Sequence, residues 1–180
     1  MTRTSNDLNL IVRALAFAAH KHRDQRRKNA EASPYINHPI ALADVLTNEA
    51  GISDPIVICA ALLHDTIEDT QTTHTELHHH FGAAIADVVL EVTDDKTLPK
   101  VMRKQLQIDH AHELSSAATL VKLADKICNL RDMVDQAPAG WDIERKREYF
   151  DWAKQVVDHL PAIHPVLKGL FLQAYSHRPE

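Results

Sequence analysis

The run Ala61-Leu62-Leu63-His64-Asp65-Thr66-Ile67-Glu68-Asp69-Thr70 concentrates an imidazole and three carboxylates in a short, otherwise apolar stretch. At the helical angle of about 100° per residue, His64, Asp65, Glu68 and Asp69 fall within one arc of about 140°. One turn earlier the same arc carries Val57, Ile58 and Ala61, which are apolar or small. Carboxylates three or four residues apart repel one another, and sinking them into an apolar face costs more. A bound cation offsets both penalties. Taken alone, the run is better accounted for by an acidic helix end turned to solvent.

Other polar residues shift that balance. His38 stands directly before Pro39, which forces it into an extended conformation at a helix start. Asp125 lies in Leu120–Leu130, where Lys122, Asp125, Lys126 and Asn129 share a stripe opposite Leu120, Leu123, Ala124 and Ile127. By itself that stripe reads as the solvated face of an amphipathic helix. The ordered set His38, His64-Asp65, Asp125 changes the reading. Two imidazoles and two carboxylates without thiolate suit a borderline or hard divalent metal with open positions for water and substrate. Upstream, Lys21, Arg23, Arg26, Arg27 and Lys28 crowd together opposed only by Asp24, a patch that an anionic ligand needs in a chain of net charge −5. A solvated helix end is the competing explanation for Lys21 and Arg23. His78, His79 and His80 point about 100° apart on a helix and cannot share one ion, so they read as surface. Cys59, Cys128, Trp141 and Trp152 read as core, with Trp141 placed in a loop that can border a pocket.

These residues need helices to carry them. Gly is scarce and Ala and Leu are prominent, so the expected class is all-α, a single helical domain over 1–180 whose motif-bearing part spans about 8–160. Leu8, Ile11, Val12, Leu15 and Ala19 define a first helix, with Ser5, Asn6 and Asp7 as caps. Pro39 opens a second that Gly51 ends, and Asp54-Pro55 caps a third running to about Asp69. Thr73-x-x-Glu76 reads as a capping box, Phe81-Gly82 as a bend, and Thr93–Leu98 as a loop. Helices follow over about 99–114 and 117–133, then a long one ending near Pro161 and a last one from Pro165. No run of about 18 apolar residues is present, so no membrane span is expected. The acidic balance disfavours general nucleic-acid binding. The unpaired cysteines and the absence of an apolar leader fit a cytoplasmic protein.

The spaced H…HD…D set resembles the signature of the HD-domain metal-dependent phosphohydrolases. Arg26-Arg27-Lys28, Pro34-Tyr35-Ile36-Asn37-His38-Pro39, Ala60–Thr70 and Glu91-Val92-Thr93-Asp94-Asp95-Lys96 are similar to the hydrolase domain of RelA/SpoT-type enzymes, within them the stand-alone, metazoan SpoT-like form. Leu120–Arg131 and Tyr149-Phe150-x-Trp152-Ala153 extend the likeness, which covers about Ile11 to Leu160. One departure is the loop Asn29–Ser33, which lacks the glycine-containing turn common there.

The resemblance implies hydrolysis of guanosine 3′-diphosphate 5′-(di or tri)phosphate with release of pyrophosphate, and manganese as the metal. By motif match His38, His64, Asp65 and Asp125 are the metal ligands, and Glu68 and Asp69 handle the attacking water or the leaving group. Arg27, Lys28, Asn129 and Tyr149 match positions that contact the nucleotide. Two alternatives stand beside this: an HD hydrolase acting on a nucleoside monophosphate, a deoxynucleotide or NADPH, and a nucleotide-sensing module without turnover. No synthetase activity is expected, because the resemblance places that activity on a second domain of the long relatives. Oligomeric state has no signature in the sequence.

Overall fold

The computed structural model describes residues 3–161 and 164–180, and among them no β-strand occurs. The helices are α1 (Arg3–Lys21), α2 (Asn37–Asp44), α3 (Pro55–Leu63), α4 (Thr66–Asp69), α5 (His74–Phe81), α6 (Ala83–Val92), α7 (Lys100–Asp109), α8 (Ser116–Asp135), α9 (Ile143–Asp158) and α10 (Pro165–Tyr175). A π-turn over Val45–Glu49 extends α2, and a 3₁₀ turn covers Ala111–Glu113.

Two helices organise the core. α3 is apolar on every side and buries Val57 through Leu63 without a gap, as a helix enclosed by neighbours must. It packs on α1, α2, α6 and α8. α8 crosses the molecule and touches α2, α3, α6, α9 and α10. Its apolar arc is fully enclosed at Leu123, Ala124 and Ile127. Each such large side chain contributes roughly 1.5–3 kcal/mol through burial. A functional group mounted on either helix therefore sits on a rigid frame.

Several local expectations hold. Asp54 accepts a hydrogen bond from Ile56 N with Pro55 in the first helical turn. The Thr73 hydroxyl accepts one from Glu76 N, but the Glu76 carboxylate turns to Lys21 Nζ at 2.7 Å, so only half the capping box forms. Gly82 takes φ +86° at the α5–α6 bend, a conformation that glycine adopts without a Cβ penalty. Cys59 and Cys128 are free and buried, and His78, His79 and His80 are exposed.

Other expectations need correction. Ser5, Asn6 and Asp7 lie inside α1 rather than before it. The buried stripe of α1 runs through Ala14 and Ala18, leaving Leu8 and Val12 more than half exposed. Pro39 is the third residue of α2, not the first, so His38 is helical rather than extended. The 99–114 helix stops at Asp109 and tightens into the 3₁₀ turn. The consequential correction is at His64-Asp65, where α3 ends. Asp65 adopts φ −98°, ψ 1°, outside the helical basin, and α4 restarts at Thr66. The Thr66 hydroxyl donates to Leu63 O at 2.7 Å, which closes the break. His64, Asp65, Glu68 and Asp69 therefore do not share one continuous helical arc.

Candidate active site

The α3–α4 break turns His64 and Asp65 into the interior, where α2 delivers His38 and α8 delivers Asp125. His38 Nε2 lies 3.2 Å from Asp125 Oδ1, and His64 Nε2 lies 2.8 Å from Asp65 Oδ2 and 4.0 Å from Asp125 Oδ1. One ligand atom each from His38, His64 and Asp65 falls within 4.8 Å of the others. Four residues from three separate segments of the chain thus converge on one point.

The donor chemistry suits a cation. His64 Nδ1 lies 2.8 Å from Ala61 O and donates to it, which leaves the Nε2 lone pair facing carboxylate oxygens. Nε2 is buried and finds no hydrogen-bond partner among the described residues. A lone pair set against two anions is stable only with a positive charge between them. The balance of charges makes the same demand. Burial disfavours an imidazolium, yet Asp65 and then Asp125 outweigh it and push the His64 pKa up to about 9. Burial also raises the two carboxyls, but His64 draws Asp65, and Lys126 and His38 draw Asp125, below the ordinary carboxylate range. His38 Nδ1 is buried without a partner among the described residues, so of the two imidazoles His64 is the one they brace from behind.

The surrounding residues hold the carboxylates. Tyr35 donates its hydroxyl proton to Asp65 Oδ2. Asn129 Nδ2 donates to Asp125 Oδ1 at 2.6 Å, and Lys126 Nζ donates to Asp125 Oδ2 at 3.2 Å and to Gln107 Oε1 at 2.9 Å. Lys126 is 2% exposed and lies 4.2 Å from the Trp152 ring centre, while Lys122 donates to Val92 O at 2.9 Å. The stripe of Lys122, Asp125, Lys126 and Asn129 is therefore interior, not solvated. Periodicity alone could not show this, because α8 is enclosed on both faces.

Glu68 and Asp69 sit on α4 at the edge of the cluster, in different environments. Glu68 Oε2 accepts from Asp94 N at 3.1 Å, and Oε1 lies 3.6 Å from Arg103 and 3.8 Å from Lys96. Burial, then Asp65 and Asp94, push its pKa up to about 7. Asp69 accepts from Gln25 Nε2 at 2.7 Å and from Lys96 Nζ, so both its oxygens are occupied.

Two connected hollows surround these groups. An inner chamber of about 180 Å³ contains His38, His64, Asp65, Asp125 and Glu68, with Lys122, Lys126, Asn129 and Trp152 in its wall. An outer chamber of about 440 Å³ shares Arg27, Tyr35, Glu68, Asn129 and Tyr149 with it. Its rim carries Arg26, Lys28, Lys96, Lys100 and Arg103, and Trp141 forms part of its wall. Arg27 pairs with Asp132 and lies 5.7 Å from the Tyr35 ring centre; Lys28 is exposed at the rim. Tyr149 is wedged between Trp141 and Trp152, at 5.7 and 5.3 Å between centroids. Both tryptophans are half-buried wall residues rather than core anchors. A further hollow of about 250 Å³, lined by Leu106, His110, Ala111 and Leu114, backs onto Lys122 and holds none of the four converging residues.

All ten residues singled out from sequence lie in these two chambers. Sequence reasoning passed over Gln25, Tyr35, Lys96, Lys126 and the inward face of α7. That face had a signal. Lys100, Arg103, Lys104 and Gln107 follow i, i+3, i+4, i+7 spacing, a stripe that must point one way.

A family model described as HD domain matches residues 14–151. The guanosine-3′,5′-bis(diphosphate) 3′-pyrophosphohydrolase of Homo sapiens is 55% identical over 167 residues, covering 91% of this chain and 93% of the human protein. That of Xenopus tropicalis is 53% identical over 165 residues, covering 92% of each. A solved structure described as a metazoan ortholog of SpoT that hydrolyzes ppGpp superposes with a TM-score of 0.90 at 44% identity, covering 94% of this chain and 95% of that one. The chain belongs to the HD domain family.

Proposed function

We propose that this chain, acting as one domain, hydrolyses guanosine 3′-diphosphate 5′-(di or tri)phosphate to pyrophosphate and GDP or GTP. The observation that carries the reading is the coupling of two unlike chambers. The inner one offers two imidazoles and two carboxylates that fit a divalent cation. The outer one is larger and rimmed by cations, as a nucleotide with two polyphosphate arms requires. The activity carried in the relatives' names supports the same substrate.

His38, His64, Asp65 and Asp125 would hold the metal, and manganese suits this oxygen–nitrogen set. Such a cation supplies positive charge for the phosphoryl oxygens and raises the acidity of nearby water. Tyr35, Asn129 and Lys126 fix the two ligand carboxylates from behind. Glu68, poised near neutrality, takes a proton from the attacking water. Asp69, held on both oxygens, orients that water. Attack at the phosphorus bonded to the ribose 3′ oxygen breaks that bond, and the 3′ oxygen leaves as a hydroxyl with the proton that Glu68 took from the water. Arg27 and Lys28 hold the 3′-diphosphate, and Tyr149 closes on the ribose and base.

Product analysis on the manganese-loaded protein tests the reading. Pyrophosphate and a nucleotide with its 5′-phosphates intact are expected. Release of orthophosphate, or equal turnover of GDP, overturns it. The same cationic rim fits a dinucleotide carrying a ribose phosphate, so NADPH is run as a competing substrate.

A further inference from the structure

Behind Asp69 lies a chain of hydrogen bonds that the proposed reaction leaves unexplained. Asp69 Oδ2 accepts from Gln25 Nε2 at 2.7 Å, and Gln25 Oε1 lies 2.6 Å from His22 Nδ1. His22 follows α1, is 2% exposed, and lines neither chamber. Its ring rests against Tyr35 with centroids 4.9 Å apart, and its Nε2 is buried with no hydrogen-bond partner among the described residues. A buried polar side chain without full satisfaction costs stability, so its retention needs a reason.

The chemistry of each link gives the chain a direction. Asp69 also accepts from Lys96 on its other oxygen, so both of its oxygens act as acceptors. Gln25 must therefore present its amide nitrogen to Asp69 and its oxygen to His22. That oxygen needs a donor, so His22 must carry its proton on Nδ1. Burial, the largest influence on His22, lowers its pKa and favours the neutral ring. A neutral ring protonated on Nδ1 leaves a bare lone pair on Nε2, the atom found without a partner. The tautomer of His22 thus fixes the orientation of Gln25, and Gln25 fixes the carboxylate of Asp69.

We infer that His22 is a positioning residue for the hydrolytic site, locking the Asp69 carboxylate through Gln25 without touching substrate. The inference rests on the proposed role of Asp69 in orienting water. A polar group displaced by a fraction of an ångström from its reacting partner loses rate steeply. The effect belongs in kcat, since Asp69 is secured before substrate arrives.

Three variants of the full chain test it. His22→Phe keeps the ring against Tyr35 and removes the donor. It is expected to lower kcat by about 10–100-fold with KM and bound metal unchanged. His22→Asn puts an amide N–H near the place of Nδ1 and should recover most of that loss. Combining His22→Phe with Asp69→Asn should be no worse than Asp69→Asn alone, because both cut the same chain. Equal losses in the Phe and Asn variants, or losses that multiply with Asp69→Asn, overturn the inference. The tautomer gives a readout free of turnover, and it survives a variant that fails to fold. In nitrogen–proton correlation spectra of the metal-free wild type, His22 is expected to be protonated on Nδ1 alone. Protonation on Nε2 overturns the chain of bonds. Wild type that ignores the guanosine substrate would sink the substrate assignment and leave the tautomer result standing.

Discussion

α7 and α8 both wall the inner chamber, yet eleven residues of α8 are buried and none of α7 is. α8 carries Asp125 on a helix locked into the core. α7 carries Lys100, Arg103, Lys104 and Gln107 on a helix attached by polar and ring contacts. Trp152 Nε1 donates to Lys104 O at 3.0 Å, and Lys104 Nζ lies 4.6 Å from the Trp152 ring centre. Coordination needs donor atoms placed in advance, and rigid packing provides that. Holding a flexible polyphosphate needs charge more than fixed geometry. The two walls should therefore answer mutation differently, with the α8 side governing metal and chemistry and the α7 side governing substrate capture.

The largest effect is expected on the rigid wall. Asp125→Ala or Asp65→Ala should abolish turnover and reduce bound metal well below stoichiometric, as read by elemental analysis of the purified protein. Normal metal content with a normal rate would place the metal centre elsewhere. The helices should persist, because each keeps its own apolar face, although stability gained from bound metal is lost.

Glu68 lies between the walls, on α4 but touching the 93–98 loop and Arg103. Glu68→Gln should keep metal and lower kcat by about 100-fold or more. Loss of metal as well would make Glu68 a ligand. The same variant predicts a pH effect on the metal-free protein. The Glu68 pKa is raised from 4.5 to about 7 on folding, so the folded state binds more protons across that window. Stability contributed by the neutral carboxyl is therefore present at low pH and lost as pH rises through about 7. Relative to wild type, Glu68→Gln should gain about 3 kcal/mol at pH 8 and little at pH 4, measured by urea unfolding. A pH-independent difference would mean that Glu68 is charged throughout.

The contrast between the walls also governs what the sequence could reveal. Cap signals such as Asp54-Pro55 and Thr73 depend on neighbouring residues and could be read directly. The four candidate ligands could be singled out because their order resembles the HD signature and their residue types are costly together without a cation. The break at Asp65 was not, since it depends on φ and ψ at one residue and on the Thr66 hydroxyl finding Leu63 O. Nor was the burial of Lys126, which requires Trp152 from α9 and Gln107 from α7 to arrive. α7 was missed because a polar stripe looks the same whether it faces water or a chamber.

On the α7 side the effects should be smaller and of another kind. Lys100 lies at the rim, 5.7 Å from the Trp141 ring centre and away from the ligand cluster. Lys100→Ala should raise KM about threefold to tenfold with kcat and metal content unchanged, and high salt should shrink the difference by screening the lost charge. A fall in kcat at constant KM would mean that α7 acts on the chemistry and that the two walls are not functionally distinct.

The smallest effect concerns the loop that joins Arg27 to Tyr35, and it asks whether that loop belongs with the rigid wall. Arg27 N donates to Ser33 O at 2.9 Å, Ala32 N to Asn29 O at 3.0 Å, and Ser33 N to Asn29 Oδ1 at 3.1 Å. This tight turn puts Ala32 at φ +48°, in the left-handed region. An alanine there costs about 1–2 kcal/mol through its Cβ, and this is the loop that lacks the family's glycine. Ala32→Gly removes that cost but adds about 0.4–1 kcal/mol of unfolded-chain entropy. The net expectation is a gain of about 0.5–1 kcal/mol in unfolding free energy. Tyr35 and Arg27 are tied to Asp65 and Asp132 independently of residue 32, so KM and kcat should stay at wild-type values. A changed KM at unchanged metal content would show instead that strain at Ala32 sets the position of Arg27, and would move this loop to the adjustable side of the chamber.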